Sequence, residues 1–244
     1  MHKADQSIVL ITGANKGIGF EIATQLAKKN YMVLLGARSR ESGLKAIGEL
    51  AEKSPDVRFI PIDLNDEQSI KEAAVCIEAE FGRLDILINN AGITDPEDAP
   101  PGEVGIKVVR SIFETNLFGT LAVTQAMLPL LRKSVRPQII NQSSGLGSIG
   151  LSGQSEWEFA QFKLFGYCAS KAAINMMTVQ LAATLAEENI VVNSIDPGFT
   201  ATDLNNHRGR QSVAEGAAAA VSLALDTKRT RNGEFFSANE SLPW

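Results

Sequence analysis

The sequence is poor in the side chains that most hydrolytic and metal chemistry uses. It has two cysteines, Cys76 and Cys168, and two histidines, His2 and His207. The cysteines lack metal-ligand spacing and read as reduced thiols of a reducing compartment. A zinc site or a Ser-His-Asp triad would have to use one of the two histidines, and neither sits in a supporting context. Long apolar runs are missing too. The longest, Ala217 to Leu225, is broken by Ser222 and is too short to span a bilayer. Met1-His2-Lys3-Ala4-Asp5 leads into a short apolar run with no signal-peptide pattern. Cations are not in excess: the net charge of −5 argues against a general grip on nucleic acid or on an anionic membrane. The expectation is a cytoplasmic protein without a metal and without nucleic-acid or membrane partners.

What is present is globular. Hydrophobic residues at 44% and charged residues at 21% exclude a disordered or fibrous chain. At 244 residues the chain falls between one domain and two. Short apolar runs alternate with helical periodicity from the start. Strands are expected at Ile8–Ile11, Met32–Leu35, Val57–Ile62, Ile86–Ile88, Gln138–Asn141, Ile190–Ile195 and Phe235–Phe236. Between them fall helical patterns, among them one of Ile70, Ala74, Ile77 and Phe81, with Asn65 as expected N-cap and Gln68 as its partner. A long helix is expected over Val108–Arg132, bent or interrupted at Pro129, and another over Gly166–Glu188. Repeated strand–helix units with short joints predict an α/β, doubly wound parallel sheet of about seven strands, a Rossmann fold. Residues 1–244 are expected to form one domain.

The first strand–helix joint is Thr12-Gly13-Ala14-Asn15-Lys16-Gly17-Ile18-Gly19. Gly13 suits a tight turn, Gly17 lets backbone approach a pyrophosphate, and Gly19 allows close helix–sheet packing. The helix N-terminus then faces the anion. The competing reading is a glycine loop that only turns the chain. Cofactor choice is read from charge. An NAD site wants an acid at the end of the second strand, and Tyr31–Arg40 holds none. Arg38 and Lys16 are expected to converge on the adenosine end and favour NADP(H), unless Arg38 is a solvated loop charge.

Tyr167 and Lys171 stand four apart and share a helix face. A tyrosine titrates near ~10, so it needs help to exchange protons at neutral pH. A nearby ammonium is expected to lower that value. The pair alone arises by chance. Ser143-Ser144 after the fifth strand, Asn89-Asn90-Ala91-Gly92 after the fourth and Asn116 between them give it context, since open α/β sheets bind ligands at this edge.

In combination these motifs, with Asp63-Leu64 and Pro197-Gly198 followed by Thr200 and Thr202, resemble the short-chain dehydrogenase/reductase family, nearest its carbonyl-reductase-like branch. The resemblance runs the length of the chain. It implies an NADPH-dependent reductase of a small-molecule carbonyl, with oxidation of a secondary alcohol or a non-catalytic NADP sensor as alternatives. It implies Tyr167 as general acid, Lys171 as its modulator and ribose ligand, Ser144 on the substrate oxygen and Asn116 on a relay water. It implies that Gly13, Asn15, Lys16, Gly17, Ile18, Gly19 and Arg38 hold the phosphates. Asp63 and Leu64 would meet the adenine, and Asn90, Ala91 and Gly92 would line the cofactor channel. Pro197, Gly198, Thr200 and Thr202 would hold the carboxamide end. One departure stands out: Ser144 and Tyr167 lie twenty-three residues apart, about ten more than is commonest in the family. The excess carries Trp157, Phe159 and Phe162, which either wall an apolar pocket or pack the insertion down. The insertion leaves both a homo-oligomer and a monomer open. The ending, Leu242-Pro243-Trp244, is expected to seal the sheet edge rather than flank the cleft.

Overall fold

Alternate residues of the inner strands feed opposite faces of one sheet. The computed structural model describes residues 6–52, 54–238 and 240–244; Met1–Asp5, with His2, lies outside the described residues. The chain runs β1 (Ile8–Ile11), α1 (Gly17–Ala27), β2 (Met32–Ala37), α2 (Arg40–Ala51), β3 (Val57–Pro61), α3 (Glu67–Phe81) and β4 (Ile86–Asn89). It continues α4 (Ile106–Phe113), α5 (Thr120–Leu131), β5 (Gln138–Gln142), α6 (Ile149–Ser152), α7 (Phe165–Thr184), β6 (Val191–Ile195), α8 (Val213–Leu225) and β7 (Phe235–Phe236). Strand order is β3-β2-β1-β4-β5-β6-β7, and every pairing is parallel. The expected doubly wound sheet is therefore present.

Val9, Ile11, Val33, Leu35 and Ile88 pack under α1, α2 and α8. Ile8, Leu10, Met32, Leu34 and Leu87 pack under α3, α5 and α7. The period of two explains this division, and burial on both faces explains why the inner strands are continuous apolar runs. Among the described residues no helix is long and apolar enough to cross a membrane.

Two local expectations need correction. The N-cap of α3 is Asp66, whose carboxylate accepts from the backbone N–H groups of Gln68 and Ser69. The Asn65 side chain instead accepts from the Thr115 hydroxyl at 3.1 Å. Aspartate and asparagine cap about equally well, so neighbouring candidates are not separated by residue type. The long helix is interrupted not at Pro129, which sits in the last turn of α5, but at a π-helical segment, Glu114–Gly119. That wider turn lies where Gly119 meets the β3–α3 loop, and a Cβ there would lie 2.5 Å from the Leu64 carbonyl oxygen.

Asp66→Ala is expected to cost about 1 kcal/mol of stability, while Asn65→Ala stays within about 0.5 kcal/mol of wild type. Urea unfolding of the two variants checks this, and the reverse order would return the cap to Asn65.

Candidate active site

The strand order reverses direction between β1 and β4, and the site is built there. The β1–α1 turn is fastened to the end of β4. The Thr12 hydroxyl accepts from the backbone N–H groups of Asn90 (3.0 Å) and Ala91 (3.1 Å). The Asn90 amide donates back to the carbonyls of Thr12 (2.8 Å) and Gly13 (3.2 Å). Asn90, expected to line the cofactor channel, thus spends its side chain bracing the turn. Glycine is required in this turn. Gly13 and Gly17 have φ of +63° and +57°, and a Cβ on Gly19 would lie 2.4 Å from the Asn90 amide nitrogen. Lys16 caps α1 without a side-chain hydrogen bond, and no acid stands in its first turn. Asn15 donates to the Ser42 hydroxyl, and Ile18 packs on the core.

Arg38 follows β2 directly, is exposed, and pairs with no carboxylate among the described residues. Asp63 and Leu64 leave the neighbouring β3 at the same edge. Lys16 does not turn towards Arg38 as expected. Its ammonium pairs with Asp203 at 2.7 Å, and His207 meets the same carboxylate at 2.9 Å. Helix N–H groups without a side-chain cap, glycine approach and an arginine with no ion-pair partner among the described residues fit a nicotinamide dinucleotide, and the free arginine leaves a cation for an extra phosphate.

The second half of the site rides on α7. Tyr167 and Ser144 are hydrogen-bonded through their hydroxyls. The Lys171 ammonium lies 5.7 Å from the Tyr167 ring centre and donates to the Gln142 carbonyl at 2.7 Å. Asn116 is almost wholly buried in the π segment, its side chain bonded to both backbone groups of Ile93 and to the Ser170 hydroxyl. Gly92 leaves room here, since a Cβ on it would lie 3.4 Å from both Asn116 and Lys171.

Burial governs the titration of this pair. It pushes the Tyr167 hydroxyl well above its ordinary range, against the pull of the Ser144 hydrogen bond and with a further push from Asp196. The Lys171 ammonium is itself desolvated and lowered to about 8. Burial of the phenol, rather than Lys171, governs Tyr167 here, since excluding water disfavours the phenolate. Burial likewise lifts Cys168 to about 11, and both cysteines are free thiols.

Three loops close over the edge. Pro197 and Gly198 follow β6, with Gly198 at φ +71°. Thr202 lies over Gly17, where a Cβ would be 3.6 Å away. Thr200 is buried, its hydroxyl donating to the Pro197 carbonyl, so it holds the loop rather than facing the cleft. In the insertion, Trp157, Phe159 and Phe162 form a chain of edge contacts that ends on Phe199. These rings pack the insertion onto the loop after β6, and Trp157 alone reaches Gly145. The chain ending covers the edge strand and also ties down the insertion. Trp244 stacks on Phe235 at 5.6 Å, and Ser148 and Gly150 donate to the Pro243 and Trp244 carbonyls.

Three residues here escape a reading of motifs. Asp98 is buried, and its carboxylate accepts from the backbone N–H groups of Gly166 (2.9 Å) and Tyr167 (2.8 Å). It caps the helix that carries Tyr167 from a loop sixty-nine residues upstream, so no local signal marks it. Asp196 lies beside Gly145. The Gln211 side-chain oxygen is buried without a partner against Gly198.

Residues 7–212 match the short chain dehydrogenase family. The chain is 42% identical to the short-chain dehydrogenase anuI of Penicillium roqueforti, over 93% of this chain and 91% of that one. It is 34% identical to the (+)-neomenthol dehydrogenase of Arabidopsis thaliana, over 95% and 96%. Its structure is similar to the NADPH-bound carbonyl reductase from chicken fatty liver, with a TM-score of 0.86 and 27% identity over 98% and 99% of the two chains.

The buried ammonium makes stability depend on pH. Lys171 binds its proton less tightly folded than unfolded, so between about 8 and 10.5 the unfolded state carries more protons and native stability rises with pH. Wild type is therefore expected to gain about 3 kcal/mol on Lys171→Met between pH 7 and pH 10.5. Urea unfolding at both pH values reads this; a difference that does not move with pH would contradict a buried charge.

Proposed function

The chain belongs to the short-chain dehydrogenase family, and from that premise we propose that it is an NADPH-dependent reductase of aldehydes or ketones. At the coarser level it is an oxidoreductase of carbonyl and alcohol substrates. We read residues 1–244 as one NADP-binding domain and the enzyme as cytoplasmic. NADPH, when bound, supplies a hydride to the carbonyl carbon.

The residues divide the remaining work. Gly13, Asn15, Gly17, Ile18 and Gly19, with the first turn of α1, hold the pyrophosphate. Arg38 holds the 2′-phosphate, and Lys16 joins it only by leaving Asp203. Asp63 and Leu64 border the adenine, and Ala91 and Gly92, braced by Asn90, border the middle of the channel. Pro197, Gly198 and Thr202 hold the carboxamide end, and the unpartnered Gln211 oxygen supplies an acceptor there.

Tyr167 gives its proton to the substrate oxygen, which Ser144 orients by hydrogen bonding. Lys171 holds the nicotinamide ribose and passes on the replacement proton. The Asn116 side chain is fully engaged, so any water it holds in the relay is held by its backbone carbonyl. The observation that carries this reading is the Tyr167–Ser144 hydroxyl pair beside a buried ammonium at the switch-point edge.

Burial holds the proton on Tyr167, the state from which it donates in reduction. The same residues serve oxidation of a secondary alcohol in reverse. Complete retention of Ser144, Tyr167 and Lys171 weighs against a sensor without turnover.

Tyr167→Phe is expected to lower kcat with NADPH by at least about a hundredfold while NADPH still binds. Absorbance of NADPH over a panel of ketones, α-dicarbonyls, quinones and aldehydes reads the first part, and fluorescence titration the second. Retained turnover would remove Tyr167 from the chemistry. Arg38→Ala is expected to weaken NADPH by roughly 10- to 100-fold with NADH little changed. Equal losses for both cofactors would show that Arg38 is no phosphate ligand.

A further inference from the structure

A partly buried carboxylate stands in this cleft without a cation among the described residues. Ile195 ends β6 facing the α8 side of the sheet. Ser194 faces the opposite side, where its hydroxyl meets Thr178 of α7 at 2.8 Å. The period of two carries Asp196 to that same side, at the edge where Tyr167 emerges. One carboxylate oxygen accepts from the Gly198 N–H at 3.0 Å. The other lies against Gly145, the residue after Ser144: a Cβ there would be 3.1 Å from the Asp196 oxygen and 3.3 Å from the Trp157 ring. The carboxylate and the indole therefore meet on one side of the turn that carries Ser144.

Stability alone does not account for this group. Among the described residues no Lys, Arg or His pairs with Asp196, and burial opposes its charge. Its negative charge also acts against the ionisation of Tyr167. Two backbone N–H groups leave lone pairs on both oxygens unused.

We infer that Asp196 is the substrate-selecting group of the cleft, recognising carbonyl compounds that carry a hydrogen-bond donor, hydroxyl or ammonium, next to the carbonyl. An oxo acid would bring a second carboxylate to the same place and is turned away. The inference rests on the carbonyl-reducing reading above. Trp157, beside the carboxylate at Gly145, suits an apolar or aromatic body on the same substrate.

Four probes share one aromatic body: acetophenone, 2-hydroxyacetophenone, 2-(dimethylamino)acetophenone and phenylglyoxylate. Their kcat/KM values with NADPH are compared in wild type, Asp196→Asn and Asp196→Ala. Ratios between probes are compared across proteins, which cancels their intrinsic reactivities. The preference for the hydroxy ketone over acetophenone is expected to fall roughly 10- to 100-fold in Asp196→Ala. Asp196→Asn, nearly isosteric, keeps part of the hydroxyl preference, loses the ammonium preference and admits phenylglyoxylate. NADPH titration identifies a misfolded alanine variant, in which case the asparagine variant decides. Unchanged ratios in both variants overturn the assignment while leaving the reductase reading intact. A wild type that reduces none of the four overturns the assignment, and one that also reduces nothing in the wider carbonyl panel overturns both.

Discussion

The clamp between the β1–α1 turn and the end of β4 is the constraint on which the site depends. A parallel sheet leaves a crevice where its strand order reverses, and here that crevice lies between β1 and β4. Two loops leaving adjacent strands in opposite directions have no reason to stay in register. Thr12 and Asn90 supply one: four hydrogen bonds cross from one loop to the other. They satisfy backbone groups that would otherwise be buried without partners. They also fix the height of the glycine turn relative to Gly92, and hence relative to Lys171 and Asn116. The glycine turn and the Tyr167–Lys171 cluster are placed relative to one another through this joint.

Burial at the joint sets the chemistry. Lys171 and Tyr167 are both out of water, and each is pushed towards its neutral form. An ammonium lowered to about 8 is still charged at neutral pH, and on the proposed reading it lies close enough to that pH to exchange protons. Acids are placed with equal economy. Asp98 faces only backbone N–H groups at the start of α7, where the helix dipole favours a negative charge. Asp85, at the opposite end of the sheet, is held by Arg83 and the Ile8 N–H. Asp196, partly buried, has neither a helix terminus nor a cation among the described residues, which sets it apart from Asp98 and Asp85.

Much of this was legible in the sequence because it is local. Buried parallel strands are short apolar runs, so Ile8–Ile11 and Met32–Leu35 declare themselves. The glycine turn, Tyr167 with Lys171, and Ser144 are fixed spacings next to those runs. Illegible features are those settled by a distant partner. Asp66 and Asn65 are equivalent as caps until Thr115 engages one of them. The break in the long helix follows from the demand that Asn116 reach Ile93 and Ser170, whereas Pro129 is only the more visible breaker. Lys16 reads as a phosphate ligand until Asp203, far along the chain, is seen beside it. Asp98 sits in a polar loop rich in Asp and Glu, and nothing local distinguishes it from Asp95 or Glu97.

The loops that cover the cleft are also tied to one another, and this bears on access. Asp203 joins the loop after β6 to the phosphate turn through Lys16, and Thr94 joins it to the loop after β4 through the Leu204 carbonyl. Phe199 joins it to the aromatic insertion, and the insertion is held at its start by the chain ending. The aromatic contacts are partly buried and insensitive to charge, whereas the Lys16–Asp203 pair is more than half exposed and weak by itself. A phosphate competing for Lys16 would therefore release one corner of the loop and leave its aromatic hinge in place. On the proposed reading a dinucleotide would enter at that corner without disturbing the side on which Trp157 and Asp196 meet Gly145. Its mouth and the proposed substrate wall would then be mechanically separate, although both belong to loops of a single sheet edge.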